Sequence, residues 1–260
     1  MANIAVAHIE TALRARKLDR TLTTALPPLE WQVAAALPTD IGALDGCLRG
    51  GLPRGQLSEI VGPHSSGRTT LALRTIAATT QRGEIAALVD TCARLDIASA
   101  ADAGVDLDRL LWIRGSDRSW GPGAAGHDAL VSRALKALNL VLQARGFACV
   151  VLDLADVPPI ALKRIPFTTW LRVQRVIDGS DTACVLVAPQ PLARSAGGMT
   201  LLLSSRTCWT GEADRSRHLS GMDVHVRVVS PRRRLDGDVS VNARCPMLNA
   251  HGSTALRMAH

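Results

Sequence analysis

Aromatic residues are scarce in this 260-residue sequence, which has no tyrosine, two phenylalanines and five tryptophans. Proteins that hold single-stranded nucleic acid without sequence preference stack successive bases on aromatic side chains, so a platform of that kind is not expected. The formal net charge of +7 points the other way, toward a polyanionic partner. Nearly all of that charge is arginine, however, because lysine occurs only at 17, 136 and 163. Together with the alanine richness, this composition is also typical of a GC-rich genome.

Long apolar runs and paired cysteines are absent as well. No run approaches the roughly 20 apolar residues that span a bilayer, and charged residues at 10, 14 and 16 interrupt the amino-terminal stretch, so we expect a cytoplasmic protein. The six cysteines form no C-x-x-C pair and have no histidine at metal-ligand spacing. We therefore expect buried, reduced thiols rather than disulfides or a zinc site.

Short apolar runs alternate with helical segments through most of the chain. The β-branched runs lack polar alternation, which is typical of strands that helices cover on both faces, and predicts an α/β fold with a parallel central sheet. Near the carboxyl end, 223–230 and 239–243 do alternate and predict an antiparallel ribbon on the edge of the sheet. The predicted strands of the sheet are 56–62, 85–90, 110–115, 148–153 and 182–188, and the predicted helices are 68–82, 98–103, 127–145 and 167–177.

Three regions follow from these patterns. Residues 1–36 contain an amphipathic helix at about 4–20 and a proline-bearing linker, 37–245 form the core with its ribbon, and 246–260 lack periodicity and are predicted to be a flexible tail.

The stretch GPHSSGRT at 62–69 fits the phosphate-binding pattern G-x-x-x-x-G-K-[ST] except that arginine replaces lysine. Backbone N–H groups in such a loop enclose a phosphate, and Thr69 can offer its hydroxyl to Mg²⁺. Arg68 ends in a wide planar fork that needs more room than an ammonium. The nucleotide-binding residues predicted from this loop are Gly62, Pro63, His64, Ser65, Ser66, Gly67, Arg68, Thr69 and Thr70.

Asp153 ends the apolar run CVVLD. A carboxylate at the carboxyl end of a strand faces the crevice in which such folds bind ligands, so Asp153 is the predicted second Mg²⁺ anchor. The alternative is an ordinary strand-end aspartate.

Several stretches resemble the RecA recombinase family from about 37 to 157. They are GGLPRGQLSEIVGP at 50–63, SSG at 65–67, VD at 89–90, LD at 95–96, and the flanking LPTDIGALDGCLRGGLPRG and GVDLDRLLWIRG. The resemblance implies a RecA-type P-loop ATPase core that binds ATP and Mg²⁺.

The departures from that family concern hydrolysis and DNA binding. The resemblance implies a catalytic glutamate at the position of Cys92, and losing a general base costs on the order of 10²–10⁴ in rate. The mobile DNA-contacting segment of the family is reduced to PLARSA between Gln190 and Gly197. The preceding loop, 156–167, carries three prolines and is expected to be stiff.

A second resemblance is carried by LDLADVPPIALKRIPFTTWLRVQRVI at 152–177 and PLARS at 191–195, which are similar to the ImuA family. It implies an adaptor of SOS-induced translesion DNA synthesis whose partners are ImuB, RecA and, through ImuB, an error-prone polymerase. ATP and Mg²⁺ binding would be weak, hydrolysis slight or absent, and DNA binding weak. The alternative is a DNA-dependent ATPase or recombination mediator in which Asp90 or Asp96 replaces the missing base.

Three further features each have two interpretations. The helix at 4–20 either docks on RecA or a second copy of this chain, or packs on its own core. Arg232, Arg233 and Arg234 either contact phosphates or acidic protein, or form a solvated turn. Trp170 and Trp209 either anchor a partner or pack in the core.

Overall fold

The computed structural model describes residues 36–115, 124–193, 198–210, 218–229 and 237–243. The chain divides into two compact units, residues 1–32 and 33–260. The predicted helix at 4–20, the arginines at 232–234 and the tail at 246–260 lie outside the described residues. The three-region division therefore stays a prediction.

Ten strands and six α-helices make up the described part of the second unit. The strands are β1 (Ala36–Leu37), β2 (Leu52–Pro53), β3 (Leu57–Val61), β4 (Ala86–Asp90), β5 (Leu110–Arg114), β6 (Cys149–Asp153), β7 (Ala183–Ala188), β8 (Thr200–Thr210), β9 (His218–Val229) and β10 (Gly237–Ala243). The helices are α1 (Gly42–Cys47), α2 (Arg68–Gln81), α3 (Ile97–Asp102), α4 (Ala124–Ala144), α5 (Pro159–Lys163) and α6 (Phe167–Ile177).

One eight-stranded sheet organises these elements, in the order β10-β9-β8-β3-β7-β6-β4-β5. The six strands from β8 to β5 run parallel to one another. Strand β9 pairs antiparallel with β8, and β10 pairs antiparallel with β9. This confirms the predicted α/β fold with a parallel central sheet and an antiparallel ribbon at its edge. A separate antiparallel pair is formed by β1 and β2.

The strands are buried because helices cover the sheet. Every residue of β3 and β7 is buried, as the apolar runs predict. Helix α4 packs the stripe that includes Leu130 and Leu138 against the sheet, and Trp170 of α6 is 1% exposed in the same core. Trp170 is therefore a core residue, whereas Trp209 is 50% exposed.

Five of these strands and helices were not predicted from the sequence: β1, β2, α1, β8 and α5. Strand β8 pairs with β3 through Leu202 and with β9 along its whole length, and Ser204 and Arg206 beyond that point are exposed. Helix α5 lies inside the segment 156–167 that was expected to be a loop. Pro158 is its N-cap and Pro159 its first residue, a position at which the fixed φ of proline favours helix initiation. In the part of the chain described, no helix is long and apolar enough to cross a membrane.

Candidate nucleotide-binding site

The predicted phosphate-binding loop lies between β3 and α2, where the carboxyl ends of the parallel strands meet. Gly62, Ser66 and Arg68 are buried, while the loop tip at 63–65 and the first exposed turn of α2 at 69–70 face solvent. The predicted site residues thus divide into a buried base and an exposed rim.

The backbone of the loop has the shape of an anion cradle. Ser65 and Gly67 adopt left-handed conformations, with φ of 59° and 89°, which is typical of turns whose N–H groups converge on an anion. Gly67 is also the N-cap of the 14-residue helix α2, so the unpaired amides of the first helical turn add to the same region. These are backbone features that the phosphate-binding prediction requires, and the binding itself stays a prediction.

The strands of the ribbon support this loop from one side. The Ser205 hydroxyl of β8 donates a 2.5 Å hydrogen bond to the Ser65 carbonyl. A Cβ on Gly62 would lie 2.5 Å from the Leu203 carbonyl oxygen, and one on Gly67 would lie 3.1 Å from Val224 of β9. Glycine is required at Gly62 because the neighbouring strand leaves no room for a side chain.

Arg68 does not extend into the cradle. Its side chain is 5% exposed, and the guanidinium donates one hydrogen bond of 2.5 Å to the Gly62 carbonyl and one of 3.1 Å to the Ala155 carbonyl. The Asp156 carboxylate lies 3.9 Å away. The planar fork therefore joins the loop to the segment that follows β6.

Asp153 ends β6, which lies two strands from β3 in the sheet. It is in register with Asp90 on the neighbouring strand β4. One carboxylate oxygen accepts a 2.8 Å hydrogen bond from the Ala155 N–H. Burial, reinforced by the nearby carboxylates of Asp90 and Asp156, raises the pKa of Asp153 to about 6. Over the described ranges, no group of three or more histidine, cysteine or acidic residues is arranged to hold a metal. The Mg²⁺ role of Thr69 and Asp153 stays a prediction.

Cys92 follows the end of β4 and is 6% exposed. Burial raises the pKa of its thiol to about 12, and the surrounding carboxylates of Asp156, Asp153 and Asp90 act in the same direction. The thiol is therefore protonated at neutral pH, and it cannot accept a proton from an attacking water.

The carboxylates proposed as substitute bases are both engaged elsewhere. Asp90 is 1% exposed and accepts hydrogen bonds from the Arg94 and Leu95 N–H groups, both at 2.9 Å, and from the Trp112 indole at 3.1 Å. It shapes the turn after β4.

Asp96 is the N-cap of α3. It accepts hydrogen bonds from the Ser99 hydroxyl at 2.6 Å and from the Ser99 N–H at 2.9 Å, and these bonds lower its pKa. A carboxylate that is tied up and made less basic is a poor general base.

One structural carboxylate was missed by the sequence reasoning. Glu59 in the middle of β3 is 2% exposed and accepts hydrogen bonds from the N–H groups of Leu192 and Ala193, at 2.7 and 2.8 Å, and from the Thr200 hydroxyl at 3.2 Å. It fixes the short segment after β7. A charged residue inside the apolar run QLSEIVG was the available signal.

Comparisons with known proteins agree with this architecture. Residues 29–146 match the RecA N-terminal domain family. The chain is 54% identical over 68 residues to RecA of Synechocystis sp., a segment that covers 26% of this chain and 19% of that protein. It is 44% identical over 108 residues to RecA of Acidothermus cellulolyticus, covering 41% and 30%.

The chain thus matches less than a third of the length of either relative. Within that segment, the similarity to RecA proteins supports a RecA-like superfamily core.

Proposed function

We propose that this RecA-like chain is an ImuA-type adaptor of SOS-induced translesion DNA synthesis in the bacterial cytoplasm. It binds an ImuB-like partner, RecA or both, and thereby recruits an error-prone polymerase. Its contribution is assembly rather than chemistry. The observation that carries the proposal is the buried Arg68 guanidinium, which is bonded to two carbonyls of the protein itself.

Phosphoryl transfer relies on a cation that neutralises charge on the phosphates and on a group that positions or activates the attacking water. Arg68 is held inside the protein, and the raised pKa of Cys92 keeps its thiol neutral. Asp90 and Asp96 have other hydrogen-bond partners. These observations favour weak ATP and Mg²⁺ binding with little or no hydrolysis.

Weak DNA binding is part of the same proposal. The segment between β7 and β8 is short, and Glu59 holds its residues Leu192 and Ala193 against the sheet. Those two residues have little freedom to follow a nucleic-acid strand.

Binding of the purified chain to ImuB and RecA tests the proposal directly. Calorimetry or pull-down with the full chain, and with 1–20 or 246–260 deleted in turn, should detect at least one of the two partners. If the full chain retains neither protein, the adaptor role is wrong.

A second candidate is a DNA-dependent ATPase or recombination mediator. It is favoured by the left-handed turn at Ser65 and Gly67 and by the exposed Thr69 at the start of α2. Phosphate release with single-stranded DNA separates the candidates, with Thr69→Ala as the test and Thr69→Ser as the matched control that keeps the hydroxyl. Turnover that is lost in Thr69→Ala and kept in Thr69→Ser would favour the enzyme.

Nucleotide could also be a structural ligand. A ligand that binds only the folded state raises its apparent stability. A thermal shift with ATP and Mg²⁺ but no phosphate release would indicate binding without hydrolysis.

A further inference from the structure

A groove of about 510 Å³ runs between helix α4 and the segment that contains α5. It lies outside the nucleotide site. On α4 its wall is a stripe of residues three and four apart, from Asp128 to Asn139. Asp128 and Asn139 are eleven residues apart along the helix, which corresponds to a rise of about 16 Å. The groove is therefore as long as three helical turns.

The floor of the groove is apolar. Val131 of α4 and Ala161 of α5 are 5% and 3% exposed, and Leu135 and Ile165 are half-buried between them. Leu135 and Ile165 remain partly accessible, and Pro166 is exposed beside them. Accessible apolar side chains along a groove of this length are what an amphipathic helix requires of its binding site.

The rim is basic. Lys136 lines the groove, and Arg164 closes one end by pairing with Asp128 at 2.7 Å. Lys163, next to Arg164 in the sequence, is exposed on α5. The charged lining residues are one acidic, Asp128, and two basic, Lys136 and Arg164, and Asp128 is already paired. With Lys163 nearby, the excess of basic charge favours an acidic partner.

We propose that this groove binds an acidic amphipathic helix of a protein partner. The inference rests on the adaptor function, since it assigns the surface by which the chain would hold its polymerase-side partner. Apolar residues at i, i+3 or i+4 and i+7 of that helix would pack on the accessible parts of Leu135, Ile165 and Pro166. Its carboxylates would meet Lys136 and Lys163.

The chemistry of the groove favours protein over nucleic acid. An apolar floor offers nothing to a phosphate backbone, and none of the described residues that line the groove is aromatic, so none can stack on a base.

Fluorescence anisotropy tests the proposal with the full-length chain. The probes are the intact ImuB-like protein and overlapping labelled peptides of about 20 residues from it, each long enough for five helical turns. Only peptides that are acidic and carry the apolar spacing should bind.

The test variant is Lys136→Glu/Lys163→Glu, and the matched control is Arg145→Glu/Arg227→Glu, in which two exposed arginines away from the groove undergo the same change of charge. The test variant should weaken binding of the peptide and of the intact partner about tenfold or more, and the control less than about twofold. Asp128→Asn should tighten binding about twofold, because it releases Arg164 for the partner. A variant that merely failed to fold would not bind more tightly.

The results distinguish failure of the groove proposal from failure of the adaptor function. If the intact partner binds and the Lys136→Glu/Lys163→Glu variant binds it as tightly as the wild type, the groove is wrong and the adaptor function stands. If the wild-type chain does not bind the intact ImuB-like partner, the groove proposal is wrong, and the adaptor function is wrong as well only if the chain does not bind RecA either. If the same variant loses affinity only for single-stranded oligothymidine, the surface is a nucleic-acid site and the proposal is overturned.

Discussion

Replacing Arg68 with alanine removes two hydrogen bonds from the interior of the protein. The guanidinium is 5% exposed and bonds to the carbonyls of Gly62 and Ala155, both of which are buried residues. A hydrogen bond to a charged group contributes about 1.5–3 kcal/mol, and an acceptor left unpaired in the interior costs a comparable amount. We therefore expect Arg68→Ala to lower the free energy of unfolding by about 3–5 kcal/mol.

Two further substitutions should change the free energy of unfolding by smaller amounts. Arg68→Lys keeps the charge but replaces the fork with a compact ammonium, which cannot span both carbonyls in the same way, so the expected loss is about 1–3 kcal/mol. Thr69→Ala changes the exposed neighbour on the same helical turn and should stay within about 0.5 kcal/mol of the wild type.

Urea unfolding without nucleotide at neutral pH measures all three, followed by circular dichroism and by the fluorescence of tryptophans that include the buried Trp170. A shift in midpoint at constant slope reports stability alone. The reasoning is refuted if Arg68→Ala unfolds within about 0.5 kcal/mol of the wild type. It is also refuted if ATP and Mg²⁺ stabilise the wild type but not this variant, since Arg68 would then act on phosphates.

Other predictions follow from single side chains. Asp153→Asn should raise the free energy of unfolding by roughly 1–3 kcal/mol at neutral pH, because the raised pKa makes the ionised form destabilising. In unfolding measured across a pH series, the wild type should lose stability relative to Asp153→Asn as pH rises from about 4 to about 6, and the two should differ little below that range. Cys92 should resist iodoacetamide in the native state, while the partly exposed Cys47 should react. The reason is that a pKa of about 12 leaves roughly a thousandfold less thiolate than an ordinary thiol has. Equal labelling of the two cysteines, measured by mass spectrometry, would contradict this prediction. Glu59→Gln should cost about 1–3 kcal/mol and speed hydrogen exchange at Ala193, and unchanged exchange there would argue against its anchoring role.

The strands of the central sheet could be predicted because both faces are buried. An apolar run such as TACVLVA at 182–188 leaves few other structures open, and the observed strand is Ala183–Ala188. Strand β8 was missed because only its first residues are buried. Beyond Leu202 it pairs with β9 alone, and its sequence there is polar and irregular.

The sequence indicated where the candidate site would lie but not which contacts its residues make, and its binding of nucleotide stays a prediction. The spacing of the loop and the strand-end position of Asp153 were local signals. The partners of Arg68 and Glu59 are not local, since the Ala155 carbonyl is 87 residues from Arg68 and the Leu192 amide is 133 residues from Glu59. Contacts over that separation depend on the order of strands in the sheet, which no motif specifies.

The position of Arg68 connects the proposed lack of hydrolysis to the proposed partner surface. Its hydrogen bond to Ala155 holds the segment that leads from β6 into α5, and α5 forms one wall of the groove against α4. Because the same guanidinium also bonds to the Gly62 carbonyl, it ties this segment to the loop that follows β3. A wall held in this way presents a preorganised groove, which lowers the ordering cost of binding. Under the proposed adaptor function, Arg68→Ala should therefore weaken binding of the ImuB-like partner, even though Arg68 does not line the groove.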